Sequence, residues 1–200
     1  IKAHPDAKVV AFVHAETETG VQRDGETLCG LAKSAGMLVI VEAVTSLAGI
    51  DLKADAGGAD VVYSGTQKCL SGLPGISPIT FSDDAVSAIQ ARTQKVQSWF
   101  LDMNLIMGYW GEGAKRAYHH TAPVNAIYAL HEALLMLEEE SLEASIARHQ
   151  DNHVTLAAGL SKLGLDLAVS EPWRLPQLNS VLIPQGIDDA TIRARLLNEF

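Results

Sequence analysis

Two short apolar runs with a helical stretch between them constrain this chain more than any other feature. "KVVAFVHAE" reads as a buried strand over about Val9 to His14, and "MLVIVEAV" as a second over Met37 to Glu42. Neither run alternates apolar with polar residues, so both faces of each strand are covered, as in a parallel sheet. The first strand closes in the loop Glu16 to Gly20. "GETLCGLAKSAG" then predicts a helix stopped at Gly36. After an irregular connection containing "DAGGAD", "VVYS" gives a third strand, and "SPITFS" a fourth around Ile79 to Phe81. The βαβ order predicts an α/β fold with a largely parallel sheet.

Downstream, "DDAVSAIQARTQKV" predicts a helix capped by Ser82. "FLDMNLIMGYWGEGAKRAYHHTAPV" is aromatic-rich and reads as irregular, the character of an interface or a site loop. From Val124 to Glu140, Ile127, Leu130, Ala133, Leu134 and Leu137 share one helical stripe. A long amphipathic helix from Leu142 to Leu163 follows and is stopped by Gly164. Then come two strand candidates, "DLAV" and "SVLIP", and a helix from Asp188 to Asn198. The break near Glu140 predicts a large domain over 1–140 and the start of a smaller α+β domain over 141–200.

Charge and cysteine usage exclude several classes. Fifteen Lys and Arg against 24 Asp and Glu leave a net charge of −9 with no basic stripe, so nucleic acid and anionic membranes are repelled. Cys29 and Cys69 belong to no CxxC pair, which speaks against a disulfide framework or a zinc site and for a reducing, cytoplasmic setting. No apolar run reaches the ~18 residues of a membrane span, and the first residues lack the apolar core of a signal peptide. Ile1 is not a methionine and Phe200 follows a helical pattern, so a fragment of a longer protein is expected.

In an open parallel sheet, ligands collect beyond the carboxyl ends of the strands. Three strands place polar groups there: His14 to Thr19, Glu42, and Ser64 to Lys68. In "DVVYSGTQKCLSGLPG", Lys68 is either a solvated loop cation among glycines or a buried nucleophile that attacks a carbonyl. Glu42 is either a carboxylate that has reached water or the partner of Lys68. Together on neighbouring strand ends, the two could hold a cationic aromatic ring, one by ion pair and the other covalently.

That constellation resembles the lysine and carboxylate of pyridoxal-phosphate enzymes. "HAETETG", "VIVEAVTSLAG", "DVVYSGTQKCLSGLPGISPITFS" and "YHHTAPVNAIYALHEAL", in that order, are similar to successive motifs of the class V aminotransferases, in particular the alanine-glyoxylate / serine-pyruvate aminotransferase family. The resemblance runs from about Lys8 to Phe200. It implies fold type I of the pyridoxal-phosphate transferases, with Lys68 as the lysine that forms the Schiff base with pyridoxal 5'-phosphate. By the same resemblance, Thr17 faces the ring oxygen, Gln67 lies on the phosphate side and Val44 packs on one ring face. Tyr118 and Thr121 match the pair that reaches the phosphate of the neighbouring subunit's cofactor, which implies a homodimer. His119 and His120 have no metal-ligand company, and adjacent side chains point apart, so both read as structural.

At Glu42 the family carries Asp, which binds the pyridine nitrogen. Glutamate keeps the charge and adds a methylene. Ala48 replaces a usual Gly. The family's glycine-rich phosphate loop would precede Ile1, and its substrate-binding arginine would follow Phe200. The activity implied moves an amino group from alanine or serine to glyoxylate or pyruvate. A lyase or desulfurase of the same fold is the first rival, set back because those relatives show histidine where this chain has Gln67. A catalytically silent dimeric scaffold is the second.

Overall fold

The computed structural model describes residues 1–111, 113 and 117–200. Strands β1 (Val9–Val13), β2 (Leu38–Glu42), β3 (Val61–Tyr63) and β4 (Ile79–Phe81) form one sheet in the order β1-β2-β3-β4. β1, β2 and β3 run parallel, and β4 pairs with β3 antiparallel. Glu42 is the last residue of the central strand, with Val13 on one side and Tyr63 on the other. The carboxyl ends of three strands therefore meet around it.

Helix α1 (Gly25–Ser34) crosses between β1 and β2. Asp24 caps it by accepting from Thr27 N–H at 3.0 Å, and Gly36 follows at φ 73°. Cys29 and Ala32 face the sheet and pack with Met37, Val39, Val41 and Val62 into the main core. The apolar continuity read from the β2 run is thus real burial on this face: Val39 is 0% exposed.

The connection from β2 to β3 is pinned by Asp60, 3% exposed. Its carboxylate accepts from Lys33 Nζ at 2.8 Å, from Val39 N–H at 2.8 Å and from the Ser82 hydroxyl at 2.9 Å, while Ser82 N–H donates to its carbonyl at 2.7 Å. One side chain thereby joins α1, β2 and the start of the next helix. Burial pushes the Asp60 carboxyl up, but the hydrogen bonds from Lys33, Val39 and Ser82 outweigh it and hold it below the usual carboxylate range.

Ser82 caps α2 (Asp83–Gln90) as its sequence position predicts, accepting from Ala85 N–H at 3.2 Å. The helix stops short of the expected Val96, because beyond Ile89 only Ala91 and Val96 could anchor another turn. Inside the stretch read as irregular lies α3 (Met103–Trp110), capped by Asp102. Its sequence MNLIMGYW is apolar almost all round, so it shows no period. Helix α4 (Val124–Glu140) and helix α5 (Leu142–Lys162) match their predicted spans. On the α4 stripe only Ala133 is buried, and Ile127 and Leu134 are 43% and 47% exposed.

Of the expected "DLAV" and "SVLIP" strands only one antiparallel bridge forms, Leu167 with Val181. Two strands with no third neighbour have too little to bury to become a regular hairpin. The last helix, α6 (Asp189–Glu199), is capped by Asp188. Among the described residues no helix is long and apolar enough to cross a membrane.

Candidate active site

The turn after β2 carries the first part of the site. His14 N–H donates to the Glu42 carbonyl at 2.9 Å, and Ala43 N–H donates to the Tyr63 carbonyl at 2.8 Å, so both neighbouring strands hold the residue in place. The His14 side chain is 5% exposed and its Nδ1 has no partner among the described residues. Burial pushes the imidazole's pKa down, which keeps it neutral.

The Glu42 carboxylate curls back: Oε1 accepts from Val44 N–H at 2.5 Å. Glu42 borders a shallow hollow with Ala11, Ile40 and Tyr63, whereas Lys68 lines a different cleft with Thr45, Arg148 and Gln177. Within the single chain the two expected partners therefore do not share one hollow.

Beyond Glu42 the chain makes a helical turn, with Leu47 N–H donating to Ala43 O at 3.0 Å and Ile50 N–H to Ser46 O at 3.1 Å. Ala48 ends it at φ 67°, in the left-handed region where a Cβ is strained. This explains the glycine expected at that position. Ala48→Gly should raise stability by about 1 kcal/mol, read from denaturant unfolding; an unchanged or lower midpoint would show that the alanine is unstrained.

The loop after β3 carries Lys68. The Ser64 hydroxyl donates to Ala43 O at 3.0 Å, the buried Thr66 hydroxyl donates to the Leu73 carbonyl, and Gly72 N–H returns to Thr66 O at 2.8 Å. Leu70 turns inward and is 6% exposed. Gln67 and Lys68 turn outward and are exposed, so the enclosure that the nucleophile reading expects around Lys68 is not made by this chain alone. Next to it, Cys69 packs inward against Gly49. Burial pushes the Cys69 thiol up, against the opposing pull of Lys68 and Arg148.

Two residues complete the arrangement that sequence reasoning missed. Thr45 Oγ1 lies 2.6 Å from Thr17 Oγ1, joining the β1 loop to the β2 turn. Gln177 Nε2 donates to the Thr45 carbonyl at 2.7 Å across 132 residues of chain. Thr45 sits inside the quoted "VTSLAG" motif and its hydroxyl was a usable signal; nothing local marks Gln177.

Tyr118 and Thr121 stand apart. Their hydroxyls are 2.5 Å from each other, and Tyr118 is 71% exposed. The neighbouring histidines do not point apart as expected. His119 Nδ1 and His120 Nδ1 are 2.8 Å from each other, because His119 is drawn inward to stack on Trp99 at 3.9 Å and to meet the Trp99 carbonyl through Nε2 at 3.0 Å. Among the described residues no group of three or more His, Cys, Asp or Glu could hold a metal ion.

A lysine loop and a carboxylate turn at the ends of parallel strands can be compared with known proteins. A family model described as aminotransferase class-V matches residues 2–194. The chain belongs to the class-V aminotransferases. It is 42% identical to the alanine–glyoxylate aminotransferase of Oryctolagus cuniculus over 94% of this chain and 49% of that protein. It is 33% identical to the (S)-ureidoglycine–glyoxylate transaminase of Bacillus subtilis (strain 168), over 96% of this chain and 50% of that protein. A crystal structure of an alanine–glyoxylate aminotransferase from Nostoc sp. superposes with a TM-score of 0.92 at 45% identity, covering 99% of this chain and 52% of that one. This class-V chain thus spans about half the length of the relatives it matches. The α/β fold expected from the strand pattern is that of the class, with part of its sheet on this chain.

Proposed function

We propose that the protein containing this chain is a pyridoxal-phosphate-dependent aminotransferase that moves an amino group from a small amino acid, alanine or serine, to a small 2-oxo acid. One observation carries the reading: Lys68 and Thr45, whose hydroxyl pairs with that of Thr17, line one cleft beyond the carboxyl ends of β2 and β3. Glyoxylate is our preferred acceptor over pyruvate, because it is common to the names of the rabbit and Bacillus relatives while their donors differ.

The cleft's donors fit pyridoxal phosphate, a primary amine on Lys68 and the Thr45 hydroxyl paired with Thr17, while the Glu42 carboxylate borders a separate hollow and would have to turn from Val44 to join them. When bound, that group supplies an electron-withdrawing ring that stabilises negative charge on the substrate carbon. Lys68 Nζ supplies the covalent attachment point and then the base that takes a proton from the substrate carbon and returns it. Thr17 would orient the ring oxygen, Val44 would pack on a ring face and Gln67 would serve the phosphate side. Glu42 would be the group that keeps a proton on the ring nitrogen.

Tyr118 and Thr121 are assigned to the phosphate of a second subunit's cofactor, and the partner is a second copy of the chain. The exposure of Tyr118 supports this, as does the apolar run beside it: Trp99, Phe100, Leu101 and Trp110 are 56%, 56%, 65% and 59% exposed. A cytoplasmic location is kept from the two unpaired cysteines.

Borohydride reduction of the full-length protein with its cofactor, followed by peptide mapping, tests the reading. The label is expected on Lys68, and a label elsewhere overturns the assignment. Glu42 has its own test. Glu42→Gln should lower kcat/KM by about tenfold or more and weaken the cofactor, because an amide cannot hold the ring nitrogen protonated, whereas Glu42→Asp should retain most activity. Equal activity and affinity for Glu42→Gln and the parent would show that this carboxylate does no electronic work.

A further inference from the structure

Gln177 reaches the candidate site from a part of the chain that local motifs do not connect to it. It lies between α5 and α6, next to Leu175, which is fully buried against Ala15 and Ile50. Its amide donates to the Thr45 carbonyl at 2.7 Å, and the Cys69 thiol lies 3.9 Å from the same oxygen. Gly49 shows how tightly the three meet: a Cβ there would sit 2.7 Å from Cys69 Sγ and 2.8 Å from Gln177 Nε2. Gln177 Oε1 is buried with no partner among the described residues, so the bond to Thr45 is what fixes the direction of the amide. Thr45 in turn holds Thr17, and Cys69 is the residue after Lys68.

We propose that Gln177 is a positioning residue for the cofactor site, setting the distance between the Thr45 turn and the Lys68 loop. The inference rests on the aminotransferase reading above. It acts through geometry: without the amide donor the Thr45 carbonyl keeps only the long, weak contact from the Cys69 thiol, the turn rotates to find a better partner, and the Thr17 hydroxyl and the Lys68 amine lose their mutual spacing. It also ties the segment after α5 to the site, so rearrangement of that segment is felt by the cofactor.

The test uses the full-length protein, stripped of cofactor and retitrated with pyridoxal phosphate by absorbance. Gln177→Met keeps the length and packing of the side chain and removes the donor. Its affinity should fall about tenfold, and the pH midpoint of the bound cofactor's absorbance band should shift. Gln177→Glu should be as weak at neutral pH and recover toward the parent on acidification, when the new carboxyl gains a proton to donate. Affinity within about twofold of the parent and an unmoved midpoint for Gln177→Met would overturn the proposal. So would a lowered melting temperature with both cofactor readouts unchanged, which would make Gln177 a packing residue only. A parent protein that takes no borohydride label at Lys68 removes the functional reading itself, and this inference with it.

Discussion

Replacing Lys68 by alanine is expected to lower transaminase turnover of the full-length protein by roughly a thousandfold or more, since on the proposed function the change removes both the covalent attachment point and the base. The fold should hardly notice. Lys68 is exposed, while the loop around it is fastened by Thr66, Leu70 and Gly72. Exposed substitutions of this kind stay within about 0.5 kcal/mol, so the variant should melt with the parent. It should still take up pyridoxal phosphate weakly, through Thr17 and Glu42, without forming a borohydride-stable link. Added small primary amines should restore part of the turnover, because they can supply the missing base. A variant with a tenth or more of parental activity would remove Lys68 from the chemistry.

The second large effect is on stability. Asp60→Ala should cost about 3 kcal/mol, because it orphans the Val39 N–H and the Ser82 hydroxyl inside the fold, each worth ~1–3 kcal/mol when unsatisfied. The ion pair with Lys33 adds little to that sum, since the lysine is 37% exposed and can turn to water. Asp60→Asn keeps an acceptor for Val39 and should cost about half as much. The pH dependence follows from the lowered carboxyl. A carboxylate depressed on folding contributes stability that is complete above its unfolded value of ~3.9 and is lost as pH falls through the folded one. Acid unfolding should therefore steepen below about pH 4, and Asp60→Asn should remove that component. Parental stability for Asp60→Ala in denaturant titrations would show that the network is not what holds β2 to the next helix.

Much of this fold was legible because its elements carry their own boundaries. β1 and β2 are unbroken apolar runs, Ser82 and Asp188 are side-chain caps, and Gly36 and Gly164 sit at positive φ where helices end. What was not legible lacked a local signal. Helix α3 is apolar on every side, so no period betrays it. The 166–169 and 180–184 runs have strand composition, yet whether they pair depends on neighbours that sequence does not display. Asp60 closes the irregular "DAGGAD" connection with no mark of its own, and only the fold brings Lys33 and Ser82 to it. The site divides the same way. Lys68, Thr17 and Glu42 sit in recognisable motifs at strand ends, whereas Gln177 enters through a contact 132 residues long.

The reversal of β4 has a mechanical consequence for Lys68. Because β4 runs antiparallel to β3, the lysine loop leaves the sheet and re-enters it at the same end, and Ser64 N–H closes the two feet by donating to Pro78 O at 2.9 Å. The loop is a bridge on two piers rather than a cantilever. Arg148 and His149 of α5 face the same cleft as the lysine. The lysine sits four residues from the first pier, so the foot at Ser64 sets where its amine meets the cleft shared with Thr45.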